Sequence, residues 1–363
     1  MKKNNTSNEC VKLFMGFDSL IKGNGGIARV ARLMVKFVDN LYSDKQSGIK
    51  IITYGDKRVP EDIDFPINAL SKSKIKYFLY LQKAAFNYSH FIHDFTGLAR
   101  AHDKMIKFKR PFLTWIHGIE VWENARPVYA ITAKRAKTLV SNSTYTLKRA
   151  EQIHGAFPRA RVCWLGTETD NPTNLDPPSQ HCANVSIIGR IDKRSYKGHF
   201  PLIQCWPDIV AKVPKAILQI VGDGPGRNEI LSAIEKSPVA NFINFKGFIP
   251  EDKMGEIWKN TKILAMPSLG EGFGLVYIEA MRHGRPVIAS IHDAASEINI
   301  NGQTGYNVDL TKPGQLIDRL VYLLNNYNKV IEMGDSGMKR WKRHFCYSAF
   351  SNRFKPIFNE FIR

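Results

Sequence analysis

What most constrains this chain is a pattern: short, nearly uninterrupted apolar runs alternate with amphipathic stretches of helical length. The runs cover residues 11–16, 49–54, 112–116, 138–141, 185–189, 216–221, 242–245, 263–266 and 286–289. A strand that is apolar on both faces must be covered on both faces, and the segments between the runs are long enough to be crossover helices. The pattern therefore predicts parallel sheets with helices on each side, a doubly wound α/β architecture. For 363 residues a single such core would be unusually large, so two domains are expected.

The pattern breaks at residues 168–180, "ETDNPTNLDPPSQ", which is rich in Pro, Asn and Asp and reads as an interdomain linker. This places an N-terminal domain in residues 1–170 and a C-terminal domain in residues 181–346. The five cysteines are scattered, without a Cys-x-x-Cys pair, which excludes a zinc ribbon or a disulfide scaffold and fits a reducing cytosol. The polar N-terminus lacks a signal-type apolar region, and no run of about 18 uncharged apolar residues is long enough to span a bilayer.

Charge is the second constraint. Fifty-two Lys and Arg stand against 33 Asp and Glu, a formal net charge of +19. Residues 1–180 hold 28 basic and 16 acidic side chains, a net +12, against 24 and 17, a net +7, in residues 181–363. Residues 71–110 alone hold nine Lys and Arg and two Asp, interleaved with Tyr77, Phe78, Tyr80, Phe86 and Phe108. An anionic partner is implied: a phosphorylated substrate, an anionic membrane or a nucleic acid. The last lacks a recognised binding motif in this chain.

The chemistry-bearing segment is "PSLGEGFGLVYIEAMRHGRPVIAS", residues 267–290. Glu271 lies in a glycine-rich loop that opens a helical pattern, and Glu279 follows in that helix's second turn. The amides of Phe273, Gly274, Leu275 and Val276 would lie at a positively polarised helix N-terminus suited to a diphosphate. Gly272 and Gly274 allow close backbone approach. A carboxylate at Glu279 would accept bonds from paired sugar hydroxyls.

This passage resembles the Glu-x7-Glu signature of glycosyltransferase family 4. Its flanks, "FKGFIPEDKMGEIWKNTKILAMPS" and "ASEININGQTGYNVDL", are similar to the same family's flanking segments, and "IIGRIDKRSYKG" is similar to its Gly-Arg...Lys-Gly segment. In the first half "GFDSLIKGNGGIARVARLM" and "FLTWIHGIEVW" match in order, as do "TLVSNSTYTLKRA" and "LQIVGDGPGRNEI" further along, so the resemblance covers nearly the whole chain. It implies a GT-B fold, two Rossmann-like domains facing across a cleft, with the donor mainly on the second and the last segment, 347–363, crossing back to the first.

Carried onto these positions, the resemblance implies that Arg190 and Lys197 stabilise the leaving diphosphate, with Lys193 or Arg194 as alternatives because the Arg-to-Lys gap is one residue longer than usual. Glu271 would position sugar hydroxyls, Glu279 the ribose, and His117 the donor sugar. Gly25, Gly26, Gly189, Gly222 and Phe248 join the donor side; His93 and Asp94 would line the acceptor side. The segment "VCWLGTETD" departs from the family's usual crossover, with Leu165 and Glu168 in place of Asn and Asp.

The expected reaction is metal-independent, retaining transfer of a hexose from a nucleotide diphosphate sugar, GDP-mannose or a UDP-hexose, to a glycan or lipid-linked acceptor. Bacterial surface glycan synthesis is the expected setting: O-antigen, lipopolysaccharide or capsule. No cofactor is expected, nor any nucleic-acid partner. The expected location is cytoplasmic and peripheral, at an anionic inner membrane face, with the stretch 71–110 as the contact. Alternative readings are a basic nucleic-acid-binding protein, a glycoside hydrolase using Glu271 and Glu279 as its carboxylate pair, and a non-catalytic binder. Asp62-x-Asp64 resembles the metal-binding pair of the other main glycosyltransferase fold, but its surroundings do not.

Overall fold

The apolar runs are strands because nothing in them asks for water. The computed structural model describes residues 11–23, 25–42, 48–104, 109–173, 175–193 and 196–363. Among these, β1 (Leu13–Phe17), β2 (Ile49–Thr53), β3 (Ile67–Ala69), β4 (His90–His93), β5 (Phe112–Ile116), β6 (Thr138–Ser141) and β7 (Ala160–Val162) form one sheet, in the order β3-β2-β1-β4-β5-β6-β7. A second sheet contains β8 (Asn184–Ile188), β9 (Ile217–Val221), β10 (Ile243–Gly247), β11 (Ile263–Ala265), β12 (Val287–Ser290) and β13 (Gly305–Val308), in the order β10-β9-β8-β11-β12-β13. The pairings of β1 with β2 and β4, and of β8 with β9 and β11, are parallel, with Gly16 opposite His93 and Ser186 opposite Leu264.

The chain divides into two units. The first takes its described residues from Met1–Ser141, Ala150–Arg161 and Arg353–Arg363, the second from Asn142–Arg149 and Val162–Asn352. In the first, Leu13, Met15, Phe91, Ile92, Leu113 and Trp115 are fully buried. The helix Gly26–Leu41 lays Phe37 against Phe354 and Phe358 of the final helix, with ring centroids 4.9 and 5.3 Å apart. In the second, Val185, Ile187, Leu218, Ile220, Leu264 and Ile288 are fully buried. Each such side chain contributes roughly 1.5–3 kcal/mol of hydrophobic stabilisation. Strand order reverses between β1 and β4 and between β8 and β11, and the loops leaving those carboxyl ends are where α/β sheets place their ligands.

The boundaries differ from the sequence reading. Residues 168–180 were expected to link domains, yet the described part of this segment lies within the second unit. Its carbonyls are taken up by that unit's cations. Asn171 accepts from Arg282 at 3.0 Å, Asp176 from Arg285 at 3.1 Å and Asp170 from Lys342 at 2.7 Å. A polar, proline-rich sequence cannot bury apolar surface, but it can satisfy buried or half-buried guanidinium groups. The change of unit falls after Arg161, residues 142–149 belong to the second unit, and the return to the first falls at Arg353, inside the helix Tyr347–Ile362.

Candidate functional site

In the second unit the loop after β8 meets those after β9 and β11 through backbone packing that only glycine allows. An added Cβ at Gly222, whose φ is +136°, would lie 1.9 Å from the Gly189 carbonyl oxygen. One at Gly198, with φ +95°, would lie 2.6 Å from that of Pro267. This brings Lys197 over Gly189 and beside Glu271: its Nζ is 2.7 Å from the Glu271 carboxylate, and both side chains are less than one-fifth exposed. Burial works against the Lys197 charge, but the Glu271 carboxylate and the Tyr196 phenol hold its pKa above the ordinary lysine value.

The helix Leu275–Arg282 begins here, capped by Gly274 at φ +91°, which as a glycine supplies no side-chain cap. Its N-terminal amides are the orphan donors of a helix end, favourable for an anion. Phe273 is buried, its ring 6.2 Å from that of Phe345, so it offers backbone rather than ring to this region. Gly272 is held by its carbonyl, which accepts from Ser143 at 2.6 Å and Thr146 at 3.1 Å. Glu279 stands half-buried one turn beyond Leu275. Val276 is half-buried and Phe248 is 62% exposed.

Arg190 faces solvent beside Asp192. Its side chain is 69% exposed, with Nε 3.5 Å from Asp192. Lys193 is exposed, and Arg194 lies outside the described residues.

In the first unit, Gly25 opens the helix Gly26–Leu41 at φ +90°, exposed like Gly26, with open space where a Cβ would stand. His117 follows β5. Its backbone amide donates to the Glu120 carboxylate, and its ring stacks parallel to Trp115. Its Nε2 lies 2.6 Å from the Asp94 carbonyl oxygen. A carbonyl only accepts, so Nε2 carries the hydrogen.

His93 and Asp94, expected to line the acceptor side, are instead buried in the first unit. His93 is fully buried, with Nδ1 3.1 Å from the Tyr77 hydroxyl, and burial lowers its pKa to about 3, aided by the neighbouring His102. Asp94 is also fully buried. Its carboxylate accepts from the Asp18 amide at 2.7 Å, and burial pushes its pKa well above the usual range. Alternation along β4 explains the difference between the two histidines: half-buried His90 meets the Phe361 ring while His93 faces the core. Among the described residues no group of three or more potential metal ligands occurs. Asp62 is bound to Arg32 at 2.7 Å and Lys22 at 2.8 Å, and chiefly the Arg32 bond lowers its pKa to about 2.

Sequence reasoning missed Asp293. It is 1% exposed, and its carboxylate accepts the Glu271 amide at 3.0 Å and the Ala295 amide at 2.9 Å. The one available signal is an Asp two residues before a helix, the position of an Asx turn.

Two parallel-sheet α/β units, of seven and six strands, are the architecture of the GT-B class of fold. Within the second unit, residues 183–326 match the family model described as Glycosyl transferases group 1, which bears out the resemblance read in the sequence. A 41.2 kDa protein of unknown function from the cps region of Klebsiella pneumoniae is 26% identical over 255 residues, 67% of this chain and 64% of its own. The GDP-mannose-dependent alpha-(1-6)-phosphatidylinositol monomannoside mannosyltransferase of Mycolicibacterium smegmatis is 30% identical over 246 residues, 62% of this chain and 63% of its own. The chain thus spans just under two thirds of the length of these curated relatives. Among solved structures, Anabaena HepE in complex with UDP has a TM-score of 0.77 at 18% identity, covering 96% of this chain and 100% of that one.

Proposed function

We infer that this protein transfers a hexose from a nucleotide diphosphate sugar to a hydroxyl of a lipid-linked or polysaccharide acceptor. The observation that carries the reading is the half-buried Lys197–Glu271 pair beside the glycine-opened helix that begins at Leu275. As the donor's glycosidic bond breaks, negative charge grows on the diphosphate. A fixed ammonium and helix amides in a partly dry site stabilise that charge without a metal. Glu271 and Glu279 take the sugar and ribose hydroxyls, Arg190 reaches the diphosphate from its exposed loop, and His117 serves the transferred sugar. Retention of anomeric configuration, with a donor phosphate oxygen taking the acceptor proton, is part of the same reading. A hydrolase would need Glu271 as acid or nucleophile, whereas here it is engaged by Lys197.

The relatives' names support a GDP-mannose or UDP-hexose donor and a role in bacterial surface glycan synthesis. A membrane partner is supported by the helix Lys74–Asn87, which contains no acidic residue and buries Tyr77, Leu81, Ala84 and Ala85. Its opposite side exposes Ile75 at 75%, Leu79 at 59% and Phe86 at 58%. At helical spacing these three fall within one narrow stripe, with exposed Lys76 and Lys83 along its edge. Such a face suits the anionic inner surface of the cytoplasmic membrane. Among the described residues no helix is long and apolar enough to cross a membrane.

A thermal-shift panel of UDP, GDP, ADP and dTDP with their sugars tests the donor, in the presence and absence of EDTA. One base is expected to raise the melting temperature, since a ligand at about 100 times its Kd stabilises by about 2.7 kcal/mol. EDTA should leave that shift intact, and Lys197→Ala should abolish it. If every nucleotide leaves melting unchanged, the donor assignment fails.

A further inference from the structure

We propose that Asp293 is a positioning residue of the donor loop: as a carboxylate it holds the Glu271 backbone where Glu271 meets Lys197, and protonation loosens that hold and weakens donor binding. This rests on the donor site assigned above. The loop carrying Glu271 is stitched to the loop after β12 from both directions. Asp293 accepts the Glu271 amide at 3.0 Å, and the Ala294 amide returns 3.1 Å to the Glu271 carbonyl. The second Asp293 oxygen accepts the Ala295 amide at 2.9 Å, which orients the carboxylate itself. The loop's other ties are of a different kind: hydroxyls of Ser143 and Thr146 on the Gly272 carbonyl, and the Ser268 hydroxyl on the Gly270 amide. None of these changes charge near neutral pH. Asp293 does.

Burial drives its pKa up to about 7; the bonds from the Ala295 and Glu271 amides and from the Ser268 hydroxyl oppose that shift, and the Glu271 charge adds to it. The charged and titratable groups facing it are the Glu271 carboxylate, itself paired with Lys197, and the buried phenol of Tyr277. Its neighbour His292 turns to Asp309, at 3.2 Å. A carboxylate accepts both amides through charge-assisted bonds, whereas a protonated carboxyl spends one oxygen on an O–H and offers weaker, uncharged acceptance. Donor affinity should therefore rise as pH climbs through about 7.

The test uses UDP-glucose and GDP-mannose, because their diphosphates carry no terminal phosphate group titrating near pH 6. Their Kd is measured by calorimetry on the full chain from pH 5.5 to 8.5. The unmodified protein should bind its donor roughly tenfold more weakly at pH 5.5 than at pH 8, and Asp293→Asn should bind weakly with no such slope. A flat profile in the unmodified protein, or an unchanged slope in Asp293→Asn, overturns the proposal. Hydrogen exchange of residues 268–273 in the unmodified protein, corrected for intrinsic rates, decides the matter even if the variant fails to fold. Protection should fall below pH 7, and constant protection overturns the proposal. If neither sugar nucleotide binds at any pH, the donor reading fails while the exchange result still judges Asp293.

Discussion

Lys197 keeps its charge and His199, two residues on, does not, and burial is the first influence on both. Lys197 has a carboxylate at 2.7 Å to offset its desolvation. His199 is fully buried, neither ring nitrogen has a hydrogen-bond partner among the described residues, and burial, reinforced by Lys197, lowers its pKa to about 4. Because that value lies below the unfolded 6.5, the unfolded chain takes up the proton first as pH falls. The His199 contribution is therefore present above about pH 6.5 and lost as pH drops toward 4. In His199→Leu that loss disappears, so its stability relative to the unmodified protein should improve by about 2 kcal/mol between pH 7 and pH 5 in urea melts. A difference that stays constant with pH would sink the argument. At this scale Glu271 was singled out by its glycine-rich loop and Lys197 by the resemblance of residues 187–198, and the structure pairs the two. Asp293 was not, because its importance lies in an amide 22 residues earlier in the chain.

Helices and strands carry the next level of specification. The helix Leu275–Arg282 depends on Gly274, whose φ of +91° suits glycine and whose missing Cβ would lie 2.1 Å from the Tyr277 ring. Tyr277 cannot move aside cheaply, since its hydroxyl donates to the Met266 carbonyl at 2.9 Å within the core. Gly274→Ala is expected to destabilise the protein by about 2 kcal/mol and to remove the nucleotide-induced rise in melting temperature. Normal nucleotide stabilisation in that variant would separate the helix start from donor binding. The central strands were readable from apolar runs, with ends displaced by a residue or two. β3, β7 and β13 were missed: the first two have three residues each, too few for a pattern, and β13, "GYNV", mixes polar with apolar residues. β4 was read only as a strand end because His90 and His93 interrupt its apolar character.

For the molecule as a whole, the question is where a net charge of +19 goes. Lys197 accounts for one charge, in the proposed donor site, and Arg190 is exposed to solvent. The helix Lys74–Asn87 pairs its lysines with a solvent-facing apolar stripe, the observation behind the proposed contact with an anionic bilayer. Each lysine near such a surface contributes about 1 kcal/mol. The protein should co-sediment with vesicles containing anionic lipid and much less with neutral ones, and Ile75→Glu with Leu79→Glu should release it without lowering thermal stability. Equal partitioning to both vesicle types would leave the charge unexplained. By itself the sequence determined two parallel α/β units and the family resemblance of the second, because apolar periodicity and motif spacing are local signals. Tertiary structure decided the unit boundaries at Arg161 and Arg353, the burial of His93 and Asp94, and the tie between Asp293 and Glu271. Those depend on which distant groups remove one another from water, and no local run of residues records that.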